Sequence, residues 1–280
     1  MDRRSFVKAC LGVAGAGTLA AAGVGTAVNL AQIRPASGGA QTYWGAHKVA
    51  GPAPRGIPFI PITVENGVFV GKPTITTAEG DVVDVLSWYK YCGHGGAPGL
   101  KADFTENNEL TYFIAEEKLH LITPWFKDLL GKPVRPDDFP APGFGASFIW
   151  RSDGQSGPNV LTGTIVKTAP GDIRLQTAAV PPAKPLKTEA DFEWVRSEIF
   201  HEDFVAASTF CTHFCCIPAY REAEQLARPR NAWDKLFCTC HNSVYDHREP
   251  VTYSFAPETG GGDEGGIFDP LASDAEGGGH

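Results

Sequence analysis

The chain has 280 residues, 42% of them hydrophobic, which is enough to bury a sizeable core in one or two domains. Its formal net charge is −8, but residues 258–280 hold six acidic residues and no Lys or Arg, so the rest is close to neutral. A binding surface for nucleic acid is therefore not indicated. The Gly-rich acidic tail over 258–280 is predicted to be disordered, because it has too few apolar side chains to bury.

The N-terminus has the features of an export signal. Residues 1–8, MDRRSFVK, place two arginines and a lysine before a run without charged residues, Ala9 to Ile33. The pattern resembles a twin-arginine signal, with Val7 where that family usually has Leu, and the resemblance implies export of a protein already folded around a cofactor. As a helix, Ala9 to Val28 would span about 30 Å.

We therefore expect residues 1–33 to remain as a single-pass transmembrane anchor, with a cleaved signal as the alternative. The positive charges precede the span, so the N-terminus is expected in the cytoplasm and the rest of the chain outside the cell membrane. Residues 34–57 mix Pro, Gly and small side chains and are predicted to be a flexible linker. The string Gly51-Pro52-Ala53-Pro54 falls within this linker.

From residue 58 onward the pattern predicts a mainly antiparallel β domain, extending to residue 257. Short apolar and β-branched runs alternate there with Gly, Pro, Asn and Asp. The runs are FIPITV, GVFV, TITT, DVVDVLSWY, ELTYFIA, KLHLITPWF, ASFIW, NVLTGTIVK, DIRLQTAAV and DFVAASTF. Two helices are predicted to interrupt them, one at 188–200 with a Thr cap and one at 219–230.

Two short runs concentrate cysteine and histidine: CTHFCCIP at 211–218 and CTCHNSVYD at 238–246. Disulfides in an exported protein would explain the cysteines but not the histidine in each run. A zinc site of two Cys and two His would leave an extra cysteine in each run without a role. The spacing Cys-x-His in one run and Cys-x-x-His in the other matches a Rieske [2Fe–2S] centre, in which two histidines replace two cysteines on one iron.

The two runs resemble the boxes of the Rieske proteins of cytochrome bc complexes, which read CTH-x-GC-x-P and CPCHGS-x-YD. The resemblance implies a [2Fe–2S] cluster with four ligands: Cys211, His213, Cys238 and His241. It also implies a loop-to-loop disulfide between Cys216 and Cys240. The cluster-binding subdomain would cover about 205–250.

Three positions depart from these boxes. Cys215 and Asn242 stand where the family usually has Gly, and Thr239 stands where it has Pro. Asn tolerates a positive φ better than most residues, so the tight turn at Asn242 can be preserved. We expect Cys215 to stay out of the disulfide.

The resemblance also assigns residues around the cluster. Ser243 and Tyr245 match hydroxyls that hydrogen-bond a bridging sulfide and a ligand sulfur, and Phe214 matches an apolar tip that docks against a membrane partner. A Pro-rich loop that covers the cluster follows the second box in the family. We expect its counterpart within 247–257 and take the string at 51–54 as a coincidence of the linker.

The resemblance implies a Rieske-type antiparallel β-sandwich with a small cluster-binding subdomain, preceded by one transmembrane helix. Such a subunit of a membrane quinol:electron-acceptor oxidoreductase takes one electron from quinol at a cytochrome b-type subunit, with a proton passing to His213 or His241. It delivers the electron to a cytochrome c or a copper protein.

Two alternatives remain. One is the small Rieske electron-relay subunit of an exported molybdenum enzyme such as arsenite oxidase. The other is a soluble Rieske ferredoxin or oxygenase component, a class that lacks the extra cysteine pair and the export signal. Cys10 and Cys92 are interpreted as ordinary cysteines in apolar positions.

Overall fold

The fold is mainly β, as predicted, and its strands pair antiparallel. The computed structural model describes residues 41–89, 108–114, 124–150, 161–176, 178–213 and 216–255. In chain order the strands are β1 (Gln41–Ala50), β2 (Ile62–Glu65), β3 (Val68–Gly71), β4 (Thr74–Thr76), β5 (Val82–Asp84), β6 (Leu110–Tyr112), β7 (Gly145–Trp150), β8 (Leu161–Lys167), β9 (Lys184–Pro185), β10 (Phe204–Ser208), β11 (Ala219–Tyr220), β12 (Leu236–Cys238) and β13 (Ser243–Phe255). The α-helices are α1 (Glu189–Glu198) and α2 (Glu224–Ala227).

Two larger sheets carry the candidate site. The first has the order β1-β13-β12-β11, with β9 also paired to β13. The second has the order β10-β8-β7-β6. In β7 buried and half-buried residues alternate. In β10 all five residues are buried, because this strand is covered on both faces.

Residues 57–60 connect the two larger sheets. On one side the N–H of Ala46 in β1 donates to the carbonyl of Ile57 (2.9 Å). On the other side the N–H of Ile60 donates to the carbonyl of Ala206 in β10 (2.8 Å). This stretch therefore satisfies backbone groups at the exposed edges of both sheets, which would otherwise be open to other chains.

The core is rich in aromatic side chains, which contribute large buried apolar areas. The largest fully buried side chains include Trp88, Trp150, Tyr43, Tyr245, Tyr253, Phe59 and Phe148. Tyr43 stacks on Tyr253 across the β1–β13 pair, with 5.4 Å between ring centroids. A smaller apolar cluster includes residues that flank the second loop: Ala227, Ala232, Phe237 and Val244.

The helix predicted over 188–200 is confirmed as α1. The Thr188 hydroxyl accepts from the N–H of Asp191 (3.1 Å), and the Asp191 carboxylate accepts from the N–H of Thr188 (2.9 Å), which forms a capping box. The helix predicted over 219–230 is confirmed only in its second part, where α2 and a 3-10 turn at Arg228–Arg230 cover residues 224–230. Residues 219–220 form β11, and α2 is only four residues long, because Pro229 follows closely and cannot continue an α-helix.

Residues 41–57 of the predicted flexible linker are part of the folded domain instead. β1 pairs with β13 from the Gln41–Phe255 pair to the Ala50–Val244 pair, with two register shifts. The covering loop predicted within 247–257 is wrong for residues 247–255, because these belong to β13, and residues 256 and 257 lie outside the described residues. The run DIRLQTAAV also forms no strand among its described residues.

Several predictions concern residues outside the described ranges. These are the export signal and anchor over 1–33, the acidic tail over 258–280, and Cys10 and Cys92. Within the described ranges no helix is long and apolar enough to cross a membrane.

Candidate metal centre

The two cysteine–histidine runs lie on two loops, one that leads from the second sheet to the first and one within the first sheet. The first loop, residues 209–218, follows β10 and leads to β11. The second, residues 239–242, closes the β12–β13 hairpin. In the first loop the N–H of Cys211 donates to the carbonyl of Cys216 (2.8 Å), so the loop is closed on itself. The fold thus brings together residues that the sequence separates.

The second loop turns at Asn242. Its φ is +63°, and its N–H donates to the carbonyl of Cys238 (2.9 Å). Asn is among the residues that tolerate this left-handed conformation best. The prediction that Asn242 can preserve the tight turn is confirmed.

Cys211 and Cys238 lie at the inner side of the site, with exposed fractions of 1% and 0%. Their side chains contact each other, and this contact, together with burial, raises the pKa of Cys238. The N–H groups of Cys240 and His241 bond to the Cys238 sulfur and act in the opposite direction. Backbone N–H groups at a sulfur suit a thiolate, which is the form that binds a metal.

His213 and His241 lie at the outer side of the site. Their ring centroids are 4.7 Å apart and the rings are nearly perpendicular, at 80°. His213 is half-buried and His241 is exposed. The site therefore has a sulfur side inside the protein and an imidazole side at its surface.

Cys216 and Cys240 are joined as a disulfide that links the two loops, with 6.5 Å between their Cα atoms. The sulfurs of Cys216, Cys238 and Cys240 lie within 4.8 Å of one another, so these three residues have a metal-binding arrangement of their own. A sulfur bonded in a disulfide is not a thiolate, however, and thiolates are what bind metal ions. That arrangement would hold a metal only after reduction of the disulfide, and with the disulfide formed Cys238 is the available thiol of the three.

Two hydroxyl side chains on β13 border the site. The Tyr245 hydroxyl lies 3.0 Å from the Cys211 sulfur, and both atoms are buried. The Ser243 hydroxyl is fully buried and accepts a hydrogen bond from the N–H of Ala53 (3.1 Å). Tyr245 therefore contacts a predicted ligand sulfur directly, while the hydrogen of Ser243 remains available for another acceptor.

The residues of β13 that follow Tyr245, from Asp246 to Arg248, all have ionisable side chains. Arg248 binds the carboxylate of Asp246 through two hydrogen bonds, of 2.9 and 3.0 Å. Burial by itself would raise the pKa of Asp246, but the bonds from Arg248 and the charges nearby hold it below its usual value. Burial lowers the pKa of His247 to about 4, so this ring is neutral at pH 7.

The sequence did not predict that residues before position 58 contribute to the site. The Thr212 hydroxyl in the first loop donates to the carbonyl of Arg55 (2.6 Å), and Ala53 bonds to Ser243 as described above. The Pro-rich string at 51–54 was the available signal, and its interpretation as a coincidence of the linker is wrong. Phe214 and Cys215 lie outside the described residues.

Comparisons with protein-family models, with curated proteins and with solved structures find no match. The site itself is therefore the basis for the function. It combines two buried thiols, two imidazoles at the surface, a disulfide between the loops that carry them, and a tyrosine hydroxyl against one thiol.

Proposed function

We propose that the chain is a Rieske-type electron-transfer protein. One observation carries this proposal: two loops that are distant in sequence bring two buried thiols into contact and place two imidazole rings 4.7 Å apart on the outer side of them. The donor set fits a [2Fe–2S] cluster, because two thiolates satisfy one iron and two neutral imidazoles satisfy the other. The ligands would be Cys211, His213, Cys238 and His241.

A zinc ion would use the same types of donor atom. Two features of the site favour the iron–sulfur cluster. The exposed ring of His241 offers a route for electrons that a structural zinc ion does not require. The hydroxyl of Tyr245 at the Cys211 sulfur adds a hydrogen bond to a thiolate, which is a means of setting a reduction potential.

When bound, such a cluster supplies a one-electron redox centre with a potential of about −150 to +300 mV. The side chains of the protein have separate tasks around it. Cys211 and Cys238 would bind the cluster at its buried side, where water is excluded. His241 is exposed and His213 is half-buried with its Nδ1 buried. The ring nitrogen that does not bind iron can accept a hydrogen bond, and then a proton, from a quinol hydroxyl once that nitrogen has lost its own hydrogen. The hydroxyl of Tyr245 stabilises negative charge on the Cys211 sulfur.

The proposal extends to a place in a membrane complex of the quinol:electron-acceptor type. The partners would be a cytochrome b-type subunit, quinol, and a cytochrome c or copper protein as acceptor. Residues 1–33 support a single membrane anchor, and the disulfide between Cys216 and Cys240 supports an oxidising compartment outside the cytoplasm. The β domain, with 205–250 as the cluster-binding part, would form a Rieske-type sandwich.

The test is to isolate the full-length chain from membranes in mild detergent and to assay iron, acid-labile sulfide and haem. We expect two irons per chain, a visible and electron paramagnetic resonance spectrum of a histidine-ligated [2Fe–2S] cluster, and co-purified b-type haem. A chain that contains zinc and no iron would refute the cluster. A loaded chain without b-type haem would refute the quinol complex and favour the relay subunit of an exported molybdenum enzyme.

A further inference from the structure

Residues 51–57, the bridging segment, are bonded to both loops of the site. The N–H of Ala53 donates to the hydroxyl of Ser243, where the second loop enters β13 (3.1 Å). The hydroxyl of Thr212 in the first loop donates to the carbonyl of Arg55 (2.6 Å). Both bonds are buried, so water does not compete for them. A stretch of seven residues thus connects the two loops without using the disulfide.

The bridging segment also packs closely against the second loop. Ala53 and Ile57 are 1% and 0% exposed. At Gly51 the φ is +87°, and an added Cβ would collide with the Cα of Ser243 and lie 2.6 Å from the carbonyl oxygen of Asn242. Only glycine fits this position, because both the backbone conformation and the space exclude a side chain.

The other end of the bridging segment is fixed to β1. The N–H of Ala46 donates to the carbonyl of Ile57 (2.9 Å), and the hydroxyl of Tyr43 donates to the carbonyl of Gly56 (2.7 Å). Pro52 and Pro54 restrict the backbone between these contacts, which lowers the entropy lost on folding. The segment is therefore a rigid support and not a tether.

We propose that the bridging segment holds the two loops of the metal centre in register and orients the hydroxyl of Ser243 toward the site. A serine oxygen that accepts an N–H on one side has its own hydrogen free to donate elsewhere. Ser243 pairs with Cys238 across the β12–β13 hairpin, so the N–H of Ala53 biases the Ser243 hydrogen away from the bridging segment and toward the Cys238 side of the site. This inference rests on the proposed function, since it concerns how the chain holds and tunes the same centre.

A consequence is that the two loops have two separate connections. The Cys216–Cys240 disulfide is one, and the bridging segment is the other. Removing either should leave a loaded centre, because the remaining connection still holds both loops. Removing both should increase the rate of cluster loss by more than the two single effects combined, because the effects of substitutions at residues that share one structural role are not additive.

The first experiment follows the decay of the cluster's visible absorbance in the full-length chain. Four proteins are compared: the wild type, Thr212→Val, the double variant C216S/C240S, and the triple variant that combines them. Loss of the Thr212 hydrogen bond in the triple variant should speed decay by about fivefold or more relative to the double variant. Thr212→Ser, which keeps the hydroxyl, is the matched control and should decay as the wild type does.

The second experiment measures the reduction potential. Ala53→Pro removes the N–H that bonds Ser243, whereas Ala53→Gly keeps it. We expect a lower potential in Ala53→Pro than in Ala53→Gly, and no such difference when Ser243→Ala is already present. A difference that persists without the Ser243 hydroxyl would overturn the orienting role.

The results separate the two proposals. A wild-type chain that never contains iron refutes the proposed function and this inference with it. A loaded wild-type chain whose triple variant decays no faster than C216S/C240S refutes the bridging role alone. If Ala53→Pro fails to fold, the Thr212→Val series decides the bridging role without it.

Discussion

The hydroxyl of Tyr245 lies 3.0 Å from the sulfur of Cys211, in a contact from which water is excluded on both sides. Either atom can donate while Cys211 is a thiol. Once the sulfur is a metal-bound thiolate it has no hydrogen, so Tyr245 must be the donor. A bond of this kind strengthens as negative charge on the sulfur increases, and it therefore favours the reduced state of the centre.

Replacing Tyr245 by Phe should lower the reduction potential. The hydroxyl bond contributes on the order of 1 kcal/mol, which for one electron corresponds to about 40 mV. Ser243→Ala should lower the potential as well, because it removes a second hydroxyl beside the centre. Redox titration followed by electron paramagnetic resonance measures both shifts. Tyr112→Phe is a suitable control, since its hydroxyl donates to the carboxylate of Asp138 in another part of the domain. Unchanged potentials in Tyr245→Phe and Ser243→Ala would contradict the assignment.

The disulfide between Cys216 and Cys240 should contribute to stability. It closes a loop with a sequence separation of 24 residues, and the chain-entropy relation gives about 3.5 kcal/mol for a loop of this length. The C216S/C240S variant should therefore lose about 3.5 kcal/mol of unfolding free energy in urea titrations under oxidising conditions.

Cys215→Ser is the matched control for that experiment, because the adjacent cysteine is expected to stay out of the disulfide. Its unfolding free energy should remain close to that of the wild type. Peptide mapping of the non-reduced protein should recover Cys216 joined to Cys240. Recovery of Cys215 joined to Cys240 would show that the neighbouring thiol takes the partner instead.

The local part of the site was predictable from sequence, whereas its support was not. The spacing within CTHFCCIP and CTCHNSVYD predicts the donor residues, and Asn242 is a residue type that tolerates the positive φ it adopts. The role of Ala53 and Arg55 could not be read from their neighbours, because their bonding partners are 190 and 157 residues away along the chain. Pro and Gly in that stretch indicate a loop equally well whether it is packed or exposed.

The distance along the chain between interacting residues also explains which strands and helices were predicted correctly from the sequence. Thr188 directly precedes the helical run, so the cap and its helix are visible in the sequence, and the structure adds Asp191 as the second half of the capping box. The register of β1 on β13 joins residues about 200 positions apart, and it depends on packing that no short window contains. The run 219–230 looked helical because its Ala, Glu and Gln residues favour helix, but its first two residues pair with β12.

His247 should make stability depend on pH. Its ordinary pKa of 6.5 falls to about 4 in the folded chain because the ring is buried. The unfolded chain therefore binds a proton below pH 6.5 that the folded chain does not bind until about pH 4, so stability falls as the pH falls through this window. The expected loss is about 3 kcal/mol. Asp246, whose pKa is lowered, adds a further loss only below its unfolded value of 3.8.

Urea titrations at pH 7, 5.5 and 4.5 measure this dependence. His247→Gln should remove most of the slope, since Gln does not titrate. Equal unfolding free energies of the wild type at pH 7 and 4.5 would contradict the burial of a neutral imidazole beside Asp246, Arg248, Lys235 and Tyr220.

Gly51→Ala should be one of the more destabilising single substitutions in the domain, and Gly80→Ala provides its matched control. Both glycines have a positive φ, of +87° and +89°. An alanine at either position would therefore lower the unfolding free energy by roughly 1–2 kcal/mol through its backbone conformation alone. At Gly80 nothing lies within 4 Å of an added Cβ, whereas at Gly51 the Cβ meets the backbone of Ser243 and Asn242. That backbone belongs to the turn of the site and cannot move aside as a flexible side chain would.

We therefore expect Gly51→Ala to lose about 1–3 kcal/mol more unfolding free energy than Gly80→Ala. Because the displaced backbone carries Ser243, the same variant should release its cluster faster, and Gly80→Ala should not. Urea titration and the decay of visible absorbance test the two effects in parallel. Equal stability of the two variants would mean that residues 51–57 do not lie against the second loop, and the bridging role would fall with that contact.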